Sequence, residues 1–233
     1  MVDIPVVHRL RILHLSDLHH RGPRETERER RVRVLGDRWL DNVRELCEDG
    51  PFDLVVFTGD VAFSGAADEY GDLMRRVRAV GGAVDTWLDT TLAAAGCDRS
   101  QLFVVPGNHD IDRDLHADAW RAVRGAWLAA GADDDVAFAR WFVRGGPAPR
   151  GIDPSLRDRI LERQSGYRAW LRDDLRRSDL LPDPRRSSLG YRASPRLARL
   201  AFPVHVLGLD SAWLAGDDND ARKLRLTDDQ ILR

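Results

Sequence analysis

A chain of 233 residues is long enough for one large domain, or for a domain with a sizeable insertion. Its net charge of −2 gives no indication of nucleic acid or a membrane surface, and its two cysteines exclude a disulfide-rich secreted scaffold. No run of about eighteen apolar residues and no signal peptide is present. The composition therefore predicts a soluble protein of a reducing compartment, the cytoplasm.

The first predicted strand covers residues 11–15 and leads directly into Asp17 and His19. Residues 21–31 are highly charged, which is typical of a loop. Because this loop follows the first strand directly, we expect it at the entrance of a site formed at the end of that strand. From Val32 to Leu46, apolar residues recur at helical spacing until a Gly-Pro pair ends the pattern. We expect this helix to cover one face of a sheet.

The second predicted strand, residues 53–57, runs into Thr58, Gly59 and Asp60. Apolar residues at helical spacing follow from Tyr70 to Leu92, with a Gly-Gly interruption. We therefore expect further helix between the second strand and the third.

The third predicted strand, Leu102 to Val105, is apolar throughout and is stopped by a Pro-Gly pair. Three residues of ligand or acid/base type, Asn108, His109 and Asp110, follow at once. Alternating strands and helices predict a parallel sheet with right-handed crossovers, and ligands bind at the carboxyl edge of such a sheet. The polar strand ends would therefore converge on one edge and form a metal site.

Between residues 111 and 188 the alternation stops, and the pattern predicts a helical insertion that covers the metal edge as a lid. Residues 150–199 hold thirteen arginines against seven acidic residues, an excess that would steer a polyanion. A solvated helix face explains the same excess equally well. Strands resume at about residues 189–193 and 203–209.

Three blocks of this sequence resemble the motifs of the calcineurin-like metallophosphoesterases. They are Asp17-Leu18-His19 for Asp-x-His, Gly59-Asp60 for Gly-Asp, and Gly107-Asn108-His109-Asp110 for Gly-Asn-His-Asp. The resemblance implies an α/β fold, a β-sandwich flanked by helices, here incomplete at its carboxyl end. It also implies a metal-dependent hydrolase of phosphate esters, with phosphodiesters of a nucleotide or nucleic acid as the expected substrate.

The resemblance further implies a role for each motif residue. Asp60 would bridge two divalent transition metals, manganese, iron or zinc, with Asp17 and His19 on the first metal and Asn108 on the second. His109 would contact the phosphoryl or leaving-group oxygen, and Asp110 would fix its tautomer. As alternatives, Asp17, Asp60 and Asp110 would act as helix caps and Asn108 as a turn residue.

The chain departs from the family pattern because it contains no Gly-His-x-His, which would complete both metal shells. Only His116 and His205 lie beyond His109. We therefore expect the 233 residues to be the amino-terminal effector part of a longer, bacterial polypeptide, or one half of a split one, whose carboxyl-terminal part supplies the remaining ligands. The alternative is a catalytically inactive interaction or regulatory module.

The remaining candidates have structural explanations. His20 and His116 are expected to face solvent, whereas His14 and His205 lie in apolar strands and are expected to be hydrogen-bonded in the core. Asp210 follows an apolar strand, but we expect no direct ligation from it. Thr227 and Gln230 have the spacing of a helix capping box.

Overall fold

The computed structural model describes residues 9–24, 38–73, 77–78, 84–197, 199–220 and 223–231. Its strands are β1 (Ile12–Leu15), β2 (Leu54–Thr58), β3 (Val77–Arg78), β4 (Val84–Asp85), β5 (Leu102–Val105), β6 (Tyr191–Ala193) and β7 (Val206–Gly208). Its helices are α1 (residues 38–46), α2 (Ala67–Leu73), α3 (Trp87–Ala94), α4 (Ala117–Ala129), α5 (Ala132–Arg144), α6 (Leu156–Glu162), α7 (Ser165–Ala169) and α8 (Asp228–Ile231). Within these ranges, no helix has both the length and the apolar character needed to cross a bilayer.

The main sheet consists of three parallel strands in the spatial order β1-β2-β5. Leu15 pairs with Phe57, which pairs with Val104, so the three strands end at the same edge. Leu54, Val55 and Phe57 of the central strand are buried, as expected for a strand of a parallel sheet. The three strands predicted before the polar motifs are thus confirmed, as is the α/β class with a parallel sheet.

The first strand is less buried than predicted. Side chains of β1 alternate between the two faces of the sheet, and Ile12, on the less covered face, is 45% exposed. His14 is also exposed, with its Nε2 2.6 Å from the Thr58 hydroxyl. The expectation of a core histidine at position 14 is therefore wrong, although the expected hydrogen bond is present.

A β-hairpin interrupts the helix predicted from Tyr70 to Leu92. Among the described residues α2 covers Ala67–Leu73, β3 and β4 pair as antiparallel strands, and α3 begins after Thr86, whose hydroxyl accepts the Asp89 N–H at 3.0 Å. Valines spaced seven apart fit a helix as well as a hairpin, and the glycine pair between them is a turn signal. The prediction gave too little weight to that pair.

Residues 111–188 are helical, as predicted, and in the described ranges they contain no strand. Helices α4, α5 and α6 enclose a second apolar core. Five of its aromatic members pack against one another, and we call them the aromatic cluster: Trp127, Phe138, Trp141, Phe142 and Trp213. After α7 comes a π-helical turn, Trp170–Asp174, which belongs instead to the main core through stacking of Trp170 on Tyr70 at 5.4 Å. The lid role of this segment stays a prediction.

The last strands, β6 and β7, form a separate antiparallel pair. His205, just before β7, is exposed and hydrogen-bonded to Ser194 at 2.9 Å, so it is not the core histidine that its apolar surroundings predicted.

The predicted capping box at Thr227 is also wrong. The Gln230 side chain bonds the backbone N–H and C=O of Asp210, both at 2.9 Å, and the Thr227 hydroxyl makes no hydrogen bond to a described residue.

Candidate metal centre

The backbone turns that follow β1 and β2 have an uncommon conformation. Asp17, His19 and Asp60 have φ angles of +57°, +48° and +57°, in the left-handed region that residues with a Cβ rarely adopt. The two turns are joined by hydrogen bonds from the His19 N–H to the Asp60 carbonyl, 2.9 Å, and from the Asp17 N–H to the Gly59 carbonyl, 3.2 Å. Residues held in such conformations concentrate at functional sites.

The turns after β2 and β5 approach each other closely enough to require glycine. A Cβ on Gly59, whose φ is +107°, would lie 2.7 Å from the Gly107 Cα. A Cβ on Gly107 would overlap the Asp60 carboxylate. Glycine at both positions therefore lets the second and third strand ends meet with Asp60 between them.

Three predicted residues from the three strand ends converge. One ligand atom each from His19, Asp60 and His109 lies within 4.8 Å of the others, and the two imidazole rings are 4.5 Å apart and perpendicular. His19 Nε2 is also 3.7 Å from an Asp17 carboxylate oxygen. Carboxylate oxygens combined with imidazole nitrogens suit a divalent transition metal. The residues present therefore fit such an ion.

His109 is oriented by two contacts. Its backbone N–H donates to Asp60 Oδ1 at 2.9 Å, and its ring Nδ1 is 2.6 Å from the Phe63 carbonyl oxygen. Because a carbonyl can only accept, Nδ1 carries the proton and Nε2 is left for chemistry or for a metal. We expected Asp110 to set this tautomer, but the Phe63 carbonyl does so.

Asp110 is fully buried and connects the turns after β2 and β5. Its carboxylate accepts hydrogen bonds from the N–H groups of Gly107, 2.8 Å, and Ala62, 2.9 Å, and from the Tyr70 hydroxyl, 2.8 Å. Burial raises the pKa of Asp110 to about 6 despite these donors. The residue does not cap α4, since the N-cap of that helix is His116.

Asn108 is half-buried at the start of a short 3-10 helix and lines one cavity together with His109. The other histidines lie elsewhere. His116 is half-buried and 2.8 Å from Glu162, and His20, also half-buried, forms an isolated β-bridge with Ala62, so neither is as exposed as predicted. Asp210 accepts hydrogen bonds from Gln164 and two backbone amides. That it does not bind a metal directly stays a prediction.

Sequence reasoning missed Phe63. Its ring centroid lies 5.7 Å from that of His109 and 6.4 Å from that of His19, and the Arg21 guanidinium lies 3.9 Å above it. The only signal in the sequence was its position in the same turn as Asp60. Phe63 therefore orients His109 through its carbonyl and covers one side of the site with its ring.

Comparison with known proteins agrees with this geometry. The calcineurin-like phosphoesterase family model matches residues 10–207, and the chain belongs to that family of metal-dependent phosphate-ester hydrolases. An uncharacterised metallophosphoesterase-like protein of Bacillus subtilis (strain 168), YydB, is 30% identical over 107 residues. That match covers 46% of this chain and 19% of YydB. No solved structure shows significant similarity.

Proposed function

We propose that this chain is the catalytic part of a dinuclear-metal phosphoesterase that hydrolyses phosphodiesters of a nucleotide or nucleic acid. The observation that carries the proposal is the convergence of His19, Asp60 and His109, from three separate strand ends, within 4.8 Å. Left-handed backbone at two of these residues, and at Asp17, supports a functional rather than a structural origin of the cluster.

In this proposal Asp17 and His19 would hold one metal, Asn108 would hold the second, and Asp60 would be a ligand shared by both. The metals, manganese, iron or zinc, would polarise the phosphoryl oxygens and activate a water molecule. The protein holds the carboxylates in position before a metal binds, because backbone hydrogen bonds already join the two turns that carry them.

His109 acts as the proton-carrying group. With its Nδ1 proton held by the Phe63 carbonyl, the ring presents Nε2, which gives a proton to the leaving oxygen when it is protonated and accepts one when it is not. Asp110 acts as a positioning residue, since its buried carboxylate fixes the backbone turn on which His109 lies.

We also propose that the active protein is larger than this chain and that the chain is its amino-terminal effector domain. The support is the missing Gly-His-x-His and the 19% share of YydB that the match covers. A carboxyl-terminal part, covalently continued or paired, would supply the remaining histidine ligands.

The test is hydrolysis of bis(p-nitrophenyl) phosphate by the full-length protein with added manganese. Asp60→Ala removes the bridging ligand, worth several kcal/mol to the transition state, so we expect a loss on the order of a thousandfold in kcat. The control is Asp41→Ala, an exposed residue paired with Arg44, and we expect it to keep full activity.

Equal rates for the wild-type protein and Asp60→Ala would contradict the proposal. The missing histidines favour one alternative, an inactive interaction or regulatory module. A folded full-length protein that hydrolyses no phosphate ester with manganese, iron or zinc would support that alternative.

A further inference from the structure

One cavity extends from the candidate metal centre towards an acidic loop, residues 217–220. It is lined by Asn108 and His109 on one side and by Arg113, Asp217, Asp218, Asp220 and Leu224 on the other. Arg113 is the only cation among these lining residues, and it lies only four residues beyond His109. The cavity thus places one guanidinium beside the residues that would hold and hydrolyse a phosphate ester.

The acidic side chains of this loop are paired in two different ways. Asp220 forms a buried ion pair with Arg124 and accepts the Gly216 N–H at 2.9 Å, which anchors the loop. Asp217 is 3.6 Å from the same arginine. Two of the three negative charges are therefore opposed by a buried guanidinium that does not line the cavity.

Asp218 is different because its partner is Arg113. The Arg113 Nη1 donates to Asp218 Oδ1 at 2.9 Å, and the Asp218 side chain is 95% exposed. An ion pair this exposed contributes little and is easily broken. The buried Arg113 Nε–H makes no hydrogen bond to any residue that the structure describes. The present pair therefore leaves part of the guanidinium's donor capacity unused.

We infer that Arg113 binds a second phosphate group of the substrate and that Asp218 is its counter-ion when that group is absent. This inference rests on the proposed function of the site. A guanidinium binds phosphate through two parallel hydrogen bonds, and a phosphate dianion carries more charge than the carboxylate it replaces. Asp218 can move into solvent without leaving a buried charge. The preferred substrates thus carry a phosphate beside the ester that is cleaved.

The test is calorimetric titration of the manganese-loaded, full-length protein with thymidine 3′,5′-bisphosphate, thymidine 3′-phosphate and thymidine 5′-phosphate. We expect the wild-type protein to bind the bisphosphate about tenfold more tightly than either monophosphate. Arg113→Ala should remove this advantage, and Arg113→Lys should retain part of it because the charge remains without the fork. Asp218→Ala should strengthen bisphosphate binding by roughly threefold, since no carboxylate competes.

The control is Arg172→Ala, which removes another exposed Arg-Asp pair and should leave all three affinities unchanged. The inference is overturned if the bisphosphate has no advantage in the wild-type protein, or if Arg113→Ala keeps that advantage. Hydrolysis of bis(p-nitrophenyl) phosphate, measured on the same samples, distinguishes failure of the proposed phosphoesterase function from failure of the inferred role of Arg113. An inactive wild-type protein would contradict the proposed function, whereas an active one with unchanged bisphosphate binding in Arg113→Ala would contradict only this inference.

Discussion

At the carboxyl edge of the sheet, Asp17, His19 and Asp60 lie in left-handed conformations, and two facing glycines leave no room for a side chain. In the aromatic cluster, Trp213 lies 4.3 Å from Phe142, ring centre to centre, among side chains carried mainly by regular helices. The carboxyl edge of the sheet is built from polar groups and tight turns. The aromatic cluster is built from apolar area on unstrained backbone.

This difference indicates what each region contributes. Burial of aromatic surface is the largest source of folding free energy, so the aromatic cluster contributes stability. Left-handed residues and closely spaced carboxylates cost folding free energy, and such costs are typical of functional sites. Substitutions in the first region should change stability with little effect on the activity of folded molecules, and substitutions in the second should do the reverse.

The largest effect on stability is expected at Trp213, which is 1% exposed and donates its indole N–H to the Arg225 carbonyl at 3.0 Å. Trp213→Ala should lower the free energy of unfolding by about 3–5 kcal/mol in urea denaturation. Trp213→Phe should lose less, because most of the apolar area remains. A loss below about 1 kcal/mol for the alanine variant would show that the cluster is not a stabilising core.

The next effect, on activity, is expected at Gly107. Gly107→Ala places a methyl group on the Asp60 carboxylate, and the displacement should lower kcat for bis(p-nitrophenyl) phosphate by about a hundredfold. The control is Gly125→Ala in α4, where a Cβ meets no atom within 4 Å and should raise stability by roughly 0.5–1 kcal/mol. Unchanged kcat in Gly107→Ala would mean that the third strand end does not position Asp60.

A smaller effect is expected at Asp110. Asp110→Asn keeps the shape but replaces one carboxylate oxygen by an NH2 group, which then faces either the Gly107 N–H or the Ala62 N–H and the Tyr70 hydroxyl. We expect a loss of about 1–3 kcal/mol in the free energy of unfolding, with most of the metal binding retained. If the loss is below about 0.5 kcal/mol, Asp110 does not tie the turns together.

The smallest effect is expected at Thr227. Because its buried hydroxyl has no hydrogen-bond partner among the described residues, Thr227→Val should leave the free energy of unfolding unchanged or raise it by up to about 1 kcal/mol. A helix-capping hydroxyl would instead make the substitution cost about 1 kcal/mol. Thermal unfolding of the two proteins distinguishes these outcomes.

The strand ends were predictable because each motif is local. An apolar run predicts the strand, and the polar residues that follow it within a few positions, such as Asp60 or Asn108 and His109, predict what lies at its end. No local sequence pattern predicts contacts between distant parts of the chain. The Phe63 carbonyl at His109 and the Gln230 side chain at Asp210 depend on how the elements pack. The first replaced Asp110, the partner that the family resemblance implied, and the second replaced the capping box with Thr227 that local spacing favoured.

The hairpin of β3 and β4 was missed for a related reason. Val77 and Val84 lie seven residues apart, which fits two turns of a helix, so only the glycines between them indicated a hairpin instead. The exposure of His14 likewise depends on which face of β1 the rest of the chain covers, and an apolar strand pattern does not show this.

We propose that the three strand ends carry the ligands that this chain contributes to a dinuclear metal site, and the metal content of the protein is the most direct test of that site. Elemental analysis of the purified full-length protein should find two equivalents of manganese, iron or zinc per chain, and His19→Ala should hold fewer than the wild-type protein. If the wild-type protein carries no transition metal after incubation with any of the three ions, or if His19→Ala retains both equivalents, the account is contradicted.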